Sequence, residues 1–159
     1  MDNTQMPVTY LFNIRFDTAA MPVGEIPGGT RIVVNVVGGQ FHGPALRGTV
    51  TAGSDWVVRR PVGPSTLDVR AQLHTEDDVT ILMSYNGLAT PDPHGVTRVI
   101  AQVRFEAPAQ SRYAWLNDDV CVAMGATEQG SVTYRIYALR WMGPSDPTQP
   151  PTESEMPKR

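Results

Sequence analysis

Cysteine and basic charge are both scarce in this chain of 159 residues. The single cysteine, Cys121, excludes an internal disulfide framework and a zinc site built from several thiolates. The chain has 13 basic and 16 acidic residues and a formal net charge of −3, whereas proteins that bind nucleic acid usually carry a basic patch or stripe. We therefore expect no nucleic acid among the partners.

Long apolar runs are missing as well. No window approaches the ~18 apolar residues of a membrane-spanning helix. The segment Met1 to Leu11 lacks the basic n-region and the apolar stretch of a secretory signal. Together with the scarcity of cysteine, these features predict a cytoplasmic protein with no membrane partner.

Sequence motifs for common cofactors are absent. The chain contains no G-x-G-x-x-G, G-x-x-x-x-G-K-[ST], H-E-x-x-H or G-x-S-x-G pattern, so we expect no cofactor. His42, His74 and His94 have no acidic or histidine companion at ligand-like spacing, and no metal site is predicted. Cys121 lies in an apolar strand-like segment, which is typical of a small buried hydrophobe rather than a nucleophile.

Glycine and proline, 14 of each, interrupt the chain too often for long helices. Period-two alternation is clear instead: Tyr10, Phe12, Ile14 and Phe16 share one face of a predicted strand. Nine such strands are predicted, at 8–16, 31–37, 45–51, 56–60, 66–75, 79–85, 96–106, 119–125 and 131–141. A hairpin turn is expected at 76–78 and a loop at 21–30, rich in glycine and proline.

An antiparallel sheet of this size must hide its edges, either in a sandwich or by closing into a barrel. Several strands carry aromatic or charged residues on the face expected to be internal, which favours a barrel with an enclosed lumen. We therefore predict an all-β fold: a single closed antiparallel β-barrel of about nine strands with an internal cavity, over residues 1–142. Residues 143–159, with five prolines and few apolar side chains, are predicted to be a disordered tail.

Charged residues inside the predicted strands are the first candidates for a site, because burying a charge is costly unless it is paired or solvated. Asp68 and Arg70 share one strand face, and Leu67 and Val69 share the other. If the two apolar residues face an outer packing layer, Asp68 and Arg70 face the lumen. The alternative is an ion pair exposed to solvent.

Three further strand segments present candidates in the same way. Their shared faces carry aromatic, charged and amide groups, the mixture expected of a small-molecule pocket. These groups are Trp56, Val58 and Arg60; Arg104 and Glu106; and Tyr113, Trp115 and Asn117. The alternative is that Trp56 and Trp115 only plug the ends of the barrel.

The motifs also resemble those of a known family. They are Gly38-Gly39-Gln40-Phe41-His42-Gly43-Pro44-Ala45-Leu46-Arg47-Gly48, Gly53-Ser54-Asp55-Trp56, Arg60-Pro61-Val62-Gly63, Leu67-Asp68-Val69-Arg70, Arg104-Phe105-Glu106 and Tyr113-Ala114-Trp115-Leu116-Asn117. In this order they resemble the DUF3237 family, also called UPF0311, over about residues 8–139. The resemblance implies a closed antiparallel barrel, often dimeric, so it also implies a homodimer. It adds Phe41 and Tyr85 to the lumen candidates.

The chain departs from the family pattern at two positions. Val62 stands where the family usually has an acidic residue in the turn, and Ile100 stands where it usually has an arginine. If either position lies at the cavity mouth, the resemblance implies a more apolar pocket in this protein.

These residues suggest an enzyme without a cofactor that performs an isomerisation, cyclisation or lyase reaction on a hydrophobic, aromatic or polyketide-like metabolite. Asp68 or Glu106 is the expected general base, because a carboxylate walled by aromatic rings has its pKa raised. Arg70 favours the ionised form of Asp68, which makes Glu106 the better proton donor. Arg70, Tyr85 and Asn117 are expected to hold a carbonyl or enolate oxygen, while Phe41, Trp56, Arg60, Tyr113 and Trp115 complete the binding site.

Two other functions stay open. A carrier of a small apolar ligand needs the aromatic walls but not the charges, so it becomes the better interpretation if Asp68, Arg70 and Glu106 point outward. A structural subunit is less favoured, because no long apolar stripe is evident at outward-facing positions of the sequence.

Overall fold

A computed structural model describes residues 6–141. Its eight strands form one closed antiparallel barrel in which each strand pairs with its neighbours in sequence and β1 pairs with β8. The strands are β1 (Val8–Ile26), β2 (Gly29–His42), β3 (Arg47–Arg59), β4 (Ser65–Thr75), β5 (Thr80–Pro91), β6 (Thr97–Glu106), β7 (Cys121–Glu128) and β8 (Ser131–Leu139). The predicted fold class is therefore confirmed, and the tail predicted at 143–159 lies outside the described residues.

The prediction of a loop at 21–30 is wrong, because a long hairpin of β1 and β2 occupies these residues. Strand β1 continues to Ile26 and β2 begins at Gly29. Pairing of β1 with β8 ends at Asp17, so the remainder of β1 has one free edge. Proline lacks the backbone N–H and is tolerated at such an edge, and a bulge between Pro22 and Gly24 absorbs the local irregularity.

Strand β3 accounts for the difference between nine predicted strands and eight observed ones. The segments predicted at 45–51 and 56–60 belong to one continuous strand, with a bulge between Val50 and Ala52. The glycine and serine between them lie inside the strand. The turn predicted at 76–78 is confirmed, because the N–H of Thr75 donates to the carbonyl of Val79 at 2.9 Å across it.

Aromatic side chains fill one half of the barrel. Phe12 packs against Phe41 and Phe105 with ring centroids 5.7 and 5.9 Å apart. A short 3₁₀ helix, Ala114–Asp118, closes this end and buries Leu116. This half is an apolar core of buried side chains, and we call it the closed end.

The outer surface carries an apolar row that the sequence analysis did not anticipate. Leu88, Ile100 and Met124 are paired neighbours on β5, β6 and β7, and all three are exposed. This row of three residues is short, so it does not overturn the expectation that no long outward apolar stripe is present, and the homodimer stays a prediction. Among residues 6–141, no helix is long and apolar enough to cross a membrane.

Candidate active site in the open half of the barrel

The lumen opens into a cavity of about 520 Å³ at the end opposite the 3₁₀ helix. This volume is within the range of about 300–1,000 Å³ typical of small-molecule sites. All eight strands contribute the residues at their ends near the mouth, and most of the lining is apolar or small. The lining residues are Thr18, Ala20, Ile32, Val34, Asp55, Val57, Arg59, Ser65, Leu67, Ala89, Pro91, Thr97, Val99, Thr127, Glu128, Ser131, Val132 and Tyr134.

Asp55 places a carboxyl group on the wall of this cavity. Burial raises its pKa from 3.8 to about 7; the backbone N–H of Asp68 lowers it in part, and the negative charge of Asp68 adds to the increase. That N–H donates to Oδ1 of Asp55 at 3.2 Å. None of these causes is a cation, so the carboxyl exchanges protons near neutral pH without a neutralising partner.

Two hydrogen-bonded tyrosines lie near Asp55, and one of them, Tyr134, lines the cavity. The Tyr85 hydroxyl donates to the Tyr134 hydroxyl at 3.1 Å, and both side chains are buried. Tyr85 lies two strands from Asp55 in the same row, because both residues pair with Val69. Burial raises the pKa of both tyrosines, so their hydroxyls stay protonated and can donate hydrogen bonds.

The hydrogen bond from Tyr85 leaves the hydroxyl proton of Tyr134 available to a group in the cavity. Tyr134 accepts from Tyr85 and lines the cavity, and within residues 6–141 no protein acceptor takes its own proton. A carbonyl or enolate oxygen in the cavity could accept it. Asp55 and Tyr134 therefore supply a proton acceptor and a hydrogen-bond donor to the same space.

The charged residues predicted to face the lumen lie on the outside of the barrel. Asp68, Arg70 and Glu106 are exposed. Leu67 and Val69, which flank Asp68 in sequence, are instead buried in the lumen. The predicted faces of these strands are thus wrong. The reason is that a single closed barrel has no second layer outside it, so the apolar face of each strand must turn inward.

Trp56 and Arg60 also lie outside the lumen, for a different reason. Trp56 is 57% exposed, and Arg60 is exposed and donates to the carbonyl of Pro64 at 2.7 Å. Val50 faces inward, and unbroken alternation from it would bring Trp56 inward as well. The bulge before Ala52 shifts the alternation by one residue, and Asp55 takes the inward position instead.

The remaining predicted site residues lie at or near the closed end. Phe41 is buried in the aromatic core, and the Tyr113 hydroxyl donates to Asp77 at 2.6 Å beside the 3₁₀ helix. Trp115 is 37% exposed on that helix. Asn117 holds the chain by accepting from the N–H of Ala107 at 2.8 Å and donating to its carbonyl at 3.0 Å.

Some predicted residues do lie together, but on the outer surface. Arg70, Glu106 and Asn117 line an outer groove of about 490 Å³ next to the closed end. None of the ten predicted site residues lines the cavity; Tyr85 lies behind its wall, hydrogen-bonded to the lining residue Tyr134. The groove is separated from the cavity by the wall of the barrel.

Neither departure from the family pattern alters the cavity. Ile100 is exposed in the outer apolar row, and Val62 is 86% exposed in the loop between β3 and β4. Neither residue lines the cavity. The more apolar pocket expected from these two positions therefore does not follow from them.

Sequence reasoning missed Asp55, Arg59 and Tyr134. A signal for the first two was present, because Asp55, Val57 and Arg59 alternate along β3. Apolar residues occur on both faces of this segment, so alternation could not tell which face was internal. Cys121, in contrast, is buried as predicted, and burial raises the pKa of its thiol to about 11.

Solved structures with the same barrel come from several organisms. The chain is similar to a conserved protein of unknown function from Rhodopseudomonas palustris, with 21% identity and a TM-score of 0.77 over 86% of this chain and 99% of that one. A β-barrel-like protein from Acinetobacter baumannii has 23% identity and a TM-score of 0.75, with 87% and 100% covered. At these identities the similarity establishes the fold alone.

A third similar structure is described as an enzyme from Penicillium herquei. It has 18% identity and a TM-score of 0.66, and the match covers 88% of this chain and 98% of that one. No curated protein sequence matches this chain closely enough to count as a relative.

The family relationship rests on the whole barrel. The model of DUF3237, described as a protein of unknown function, matches residues 6–139. This range contains all eight strands and the 3₁₀ helix. The chain therefore belongs to the DUF3237 family.

Proposed function

We propose that this protein is a cofactor-independent enzyme that moves a proton on a hydrophobic carbonyl compound, of aromatic or polyketide-like type, bound in the open half of the barrel. The observation that carries this proposal is the presence of Asp55, with a pKa near 7, and the Tyr134 hydroxyl in one cavity. The described enzyme from Penicillium herquei, which shares the barrel, supports it. Isomerases, cyclases and lyases all use such proton transfers.

The proposed step begins with Asp55 as the base. Its carboxylate takes the proton from the carbon next to the substrate carbonyl, and the C–H electron pair forms the C=C bond of an enolate. The negative charge moves to the carbonyl oxygen, where Tyr134 donates a hydrogen bond. In a substrate with a C=C bond between the β and γ carbons, the enolate is a dienolate: Asp55 returns the proton to the γ carbon, the C=O bond re-forms, and the C=C bond moves between the α and β carbons. This completes an isomerisation with no net gain or loss of protons.

Tyr85 is a positioning residue in this scheme. Its hydrogen bond fixes the Tyr134 hydroxyl and polarises it, which strengthens the bond that Tyr134 donates. Preorganised donors of this kind stabilise an oxyanion because they need no reorientation during the reaction. The buried aromatic ring of Phe16, with its centroid 6.1 Å from that of Tyr134, supports the pair from below.

The cost of burying Asp55 distinguishes an enzyme from a carrier. An increase of about three pKa units destabilises the folded protein by about 4 kcal/mol where the group is ionised. Binding an apolar ligand does not require that cost, whereas proton transfer at neutral pH does. The outward orientation of Asp68, Arg70 and Glu106 makes a carrier of an apolar ligand the second candidate. The hydrogen-exchange experiment described next distinguishes the enzyme from the carrier.

Proton transfer can be tested before the natural substrate is known. The protein is incubated with a panel of apolar aryl ketones in D₂O, and exchange of the hydrogens next to the carbonyl is followed by NMR. Asp55→Asn should reduce exchange by about 10²–10⁴-fold, and Tyr134→Phe by about 10²–10³-fold. Glu106→Gln removes a carboxylate from the outer surface that does not contribute to the pKa of Asp55, and it should exchange like the wild type.

Each other outcome has a clear meaning. Ketones that bind without exchange would favour the carrier. Exchange that survives Asp55→Asn but is lost in Glu106→Gln would refute the assignment of the base and return it to the residue predicted from the sequence.

A further inference from the structure

Arg59 is a charged residue of the cavity that the proposed proton transfer does not use. It lies two inward positions beyond Asp55 on β3, at the mouth, and lines the cavity. No ion pair within residues 6–141 includes it, and no cation contributes to the pKa of Asp55. Arg59 is therefore free to bind a charged group that enters from solvent.

The position of Arg59 sets a length for the ligand. Arg59 lies four residue steps along the strand from Asp55, which places their Cα atoms about 13 Å apart at about 3.3 Å per residue. The wall beside them is apolar: Val57 lies between the two residues, and Ile32 and Val34 lie on the neighbouring strand β2. A molecule of two linked or fused rings has the length to reach from one to the other.

We propose that the ligand is an amphipathic organic anion, an aromatic or polycyclic acid whose carboxylate or equivalent group pairs with Arg59 at the mouth while its apolar body fills the cavity. This inference rests on the proposed function for the use of the cavity, and it adds the charge and the orientation of the substrate. The reacting carbonyl then lies at the deep end, by Tyr134.

Glu128 is the other charged residue of the mouth, and it belongs to the opposite wall. It lies at the end of β7 next to the turn and is exposed. A cationic ligand would pair with Glu128 instead. The Arg59 side is favoured because it continues the β3 wall that carries Asp55, so one extended molecule can contact both.

Two fluorescent probes of the same ring system test the inference directly. The anion is 8-anilinonaphthalene-1-sulfonate, and the neutral compound is N-phenyl-1-naphthylamine, which lacks the sulfonate. We expect Arg59→Gln to weaken the anionic probe about tenfold, the usual scale of a charge-assisted hydrogen bond, and the neutral probe by less than twofold. Arg59→Lys should retain part of the difference.

Control variants distinguish an effect of the Arg59 cation on probe affinity from an effect of the net charge of the protein. Arg135→Gln removes an exposed arginine from the outer face of β8, next to Tyr134 in sequence, and should change neither affinity. Glu128→Gln should leave the anionic probe bound at least as tightly. Ala20→Trp fills the mouth, so it should weaken both probes and show that they bind in the cavity.

The outcomes distinguish this inference from the function on which it rests. If Arg59→Gln weakens both probes equally or neither, or if Glu128→Gln abolishes binding, the anionic ligand is refuted while binding in the cavity stands. If Ala20→Trp weakens neither probe, they bind elsewhere, and binding in the cavity fails along with the inference. Circular dichroism and the melting temperature establish that each variant is folded.

Discussion

Replacing Asp55 with asparagine should change how the stability of the protein depends on pH. Asparagine has the same shape, and its amide oxygen can still accept the N–H of Asp68. The carboxyl has a pKa of about 7 in the folded protein against 3.8 in the reference state. Between these values the folded state binds more protons than the unfolded state, so stability falls as pH rises and the loss is complete above about pH 7.

The size of the effect follows from the pH window. Each pH unit between the two pKa values changes the free energy of unfolding by about 1.36 kcal/mol. From pH 5 to pH 8 the wild type crosses about two such units, so it should lose about 2.7 kcal/mol relative to Asp55→Asn. The variant should therefore be the more stable protein at pH 8, and the difference should shrink at pH 5.

Urea denaturation followed by tryptophan fluorescence at pH 5, 6, 7 and 8 measures this difference. Glu106→Gln serves as the control, because it removes a carboxylate from the outer surface and should follow the wild type. Parallel stability curves for the wild type and Asp55→Asn would refute the desolvated carboxyl. So would a wild type that gains stability relative to the variant as the pH rises.

Three further outcomes test other parts of the structure. Tyr85→Phe removes the buried hydrogen bond to Tyr134 and should cost about 1 kcal/mol of stability in urea denaturation. Gly48→Ala should lower stability by at least about 1–3 kcal/mol, measured in the same way, because the new methyl group would meet the carbonyl oxygen of His74. Cys121, with its buried thiol and a pKa of about 11, should react with a disulfide reagent at pH 8 only after denaturation.

The closed barrel was predictable from the sequence because its signals are local. Alternation with period two marks the strands, and frequent glycine and proline exclude long helices. The extension of β1 through Pro22 was not predictable in this way, because it depends on which edge of the strand is free. That edge is defined only when β8 stops pairing at Asp17.

The candidate site was harder to predict because alternation identifies two faces without identifying the inner one. On β4 the apolar face, with Leu67 and Val69, turns inward because nothing else covers it. On β3 both faces are partly apolar, and one bulge reverses the assignment between Trp56 and Asp55. A register shift of one residue therefore decides whether a carboxyl lies in the cavity or in solvent.

A change in side-chain size along the barrel explains why the cavity lies at one end. The inward positions of β1 change from Phe12, Ile14 and Phe16 to Thr18 and Ala20. Those of β5 change in the same direction, from large residues and Tyr85 to glycine and Ala89. Large side chains fill the closed half, and small ones leave the open half empty at the level where Asp55 lies. The same tapering that creates room for a ligand therefore places the carboxyl at the boundary between the packed core and the cavity, where burial raises its pKa while a ligand can still reach it.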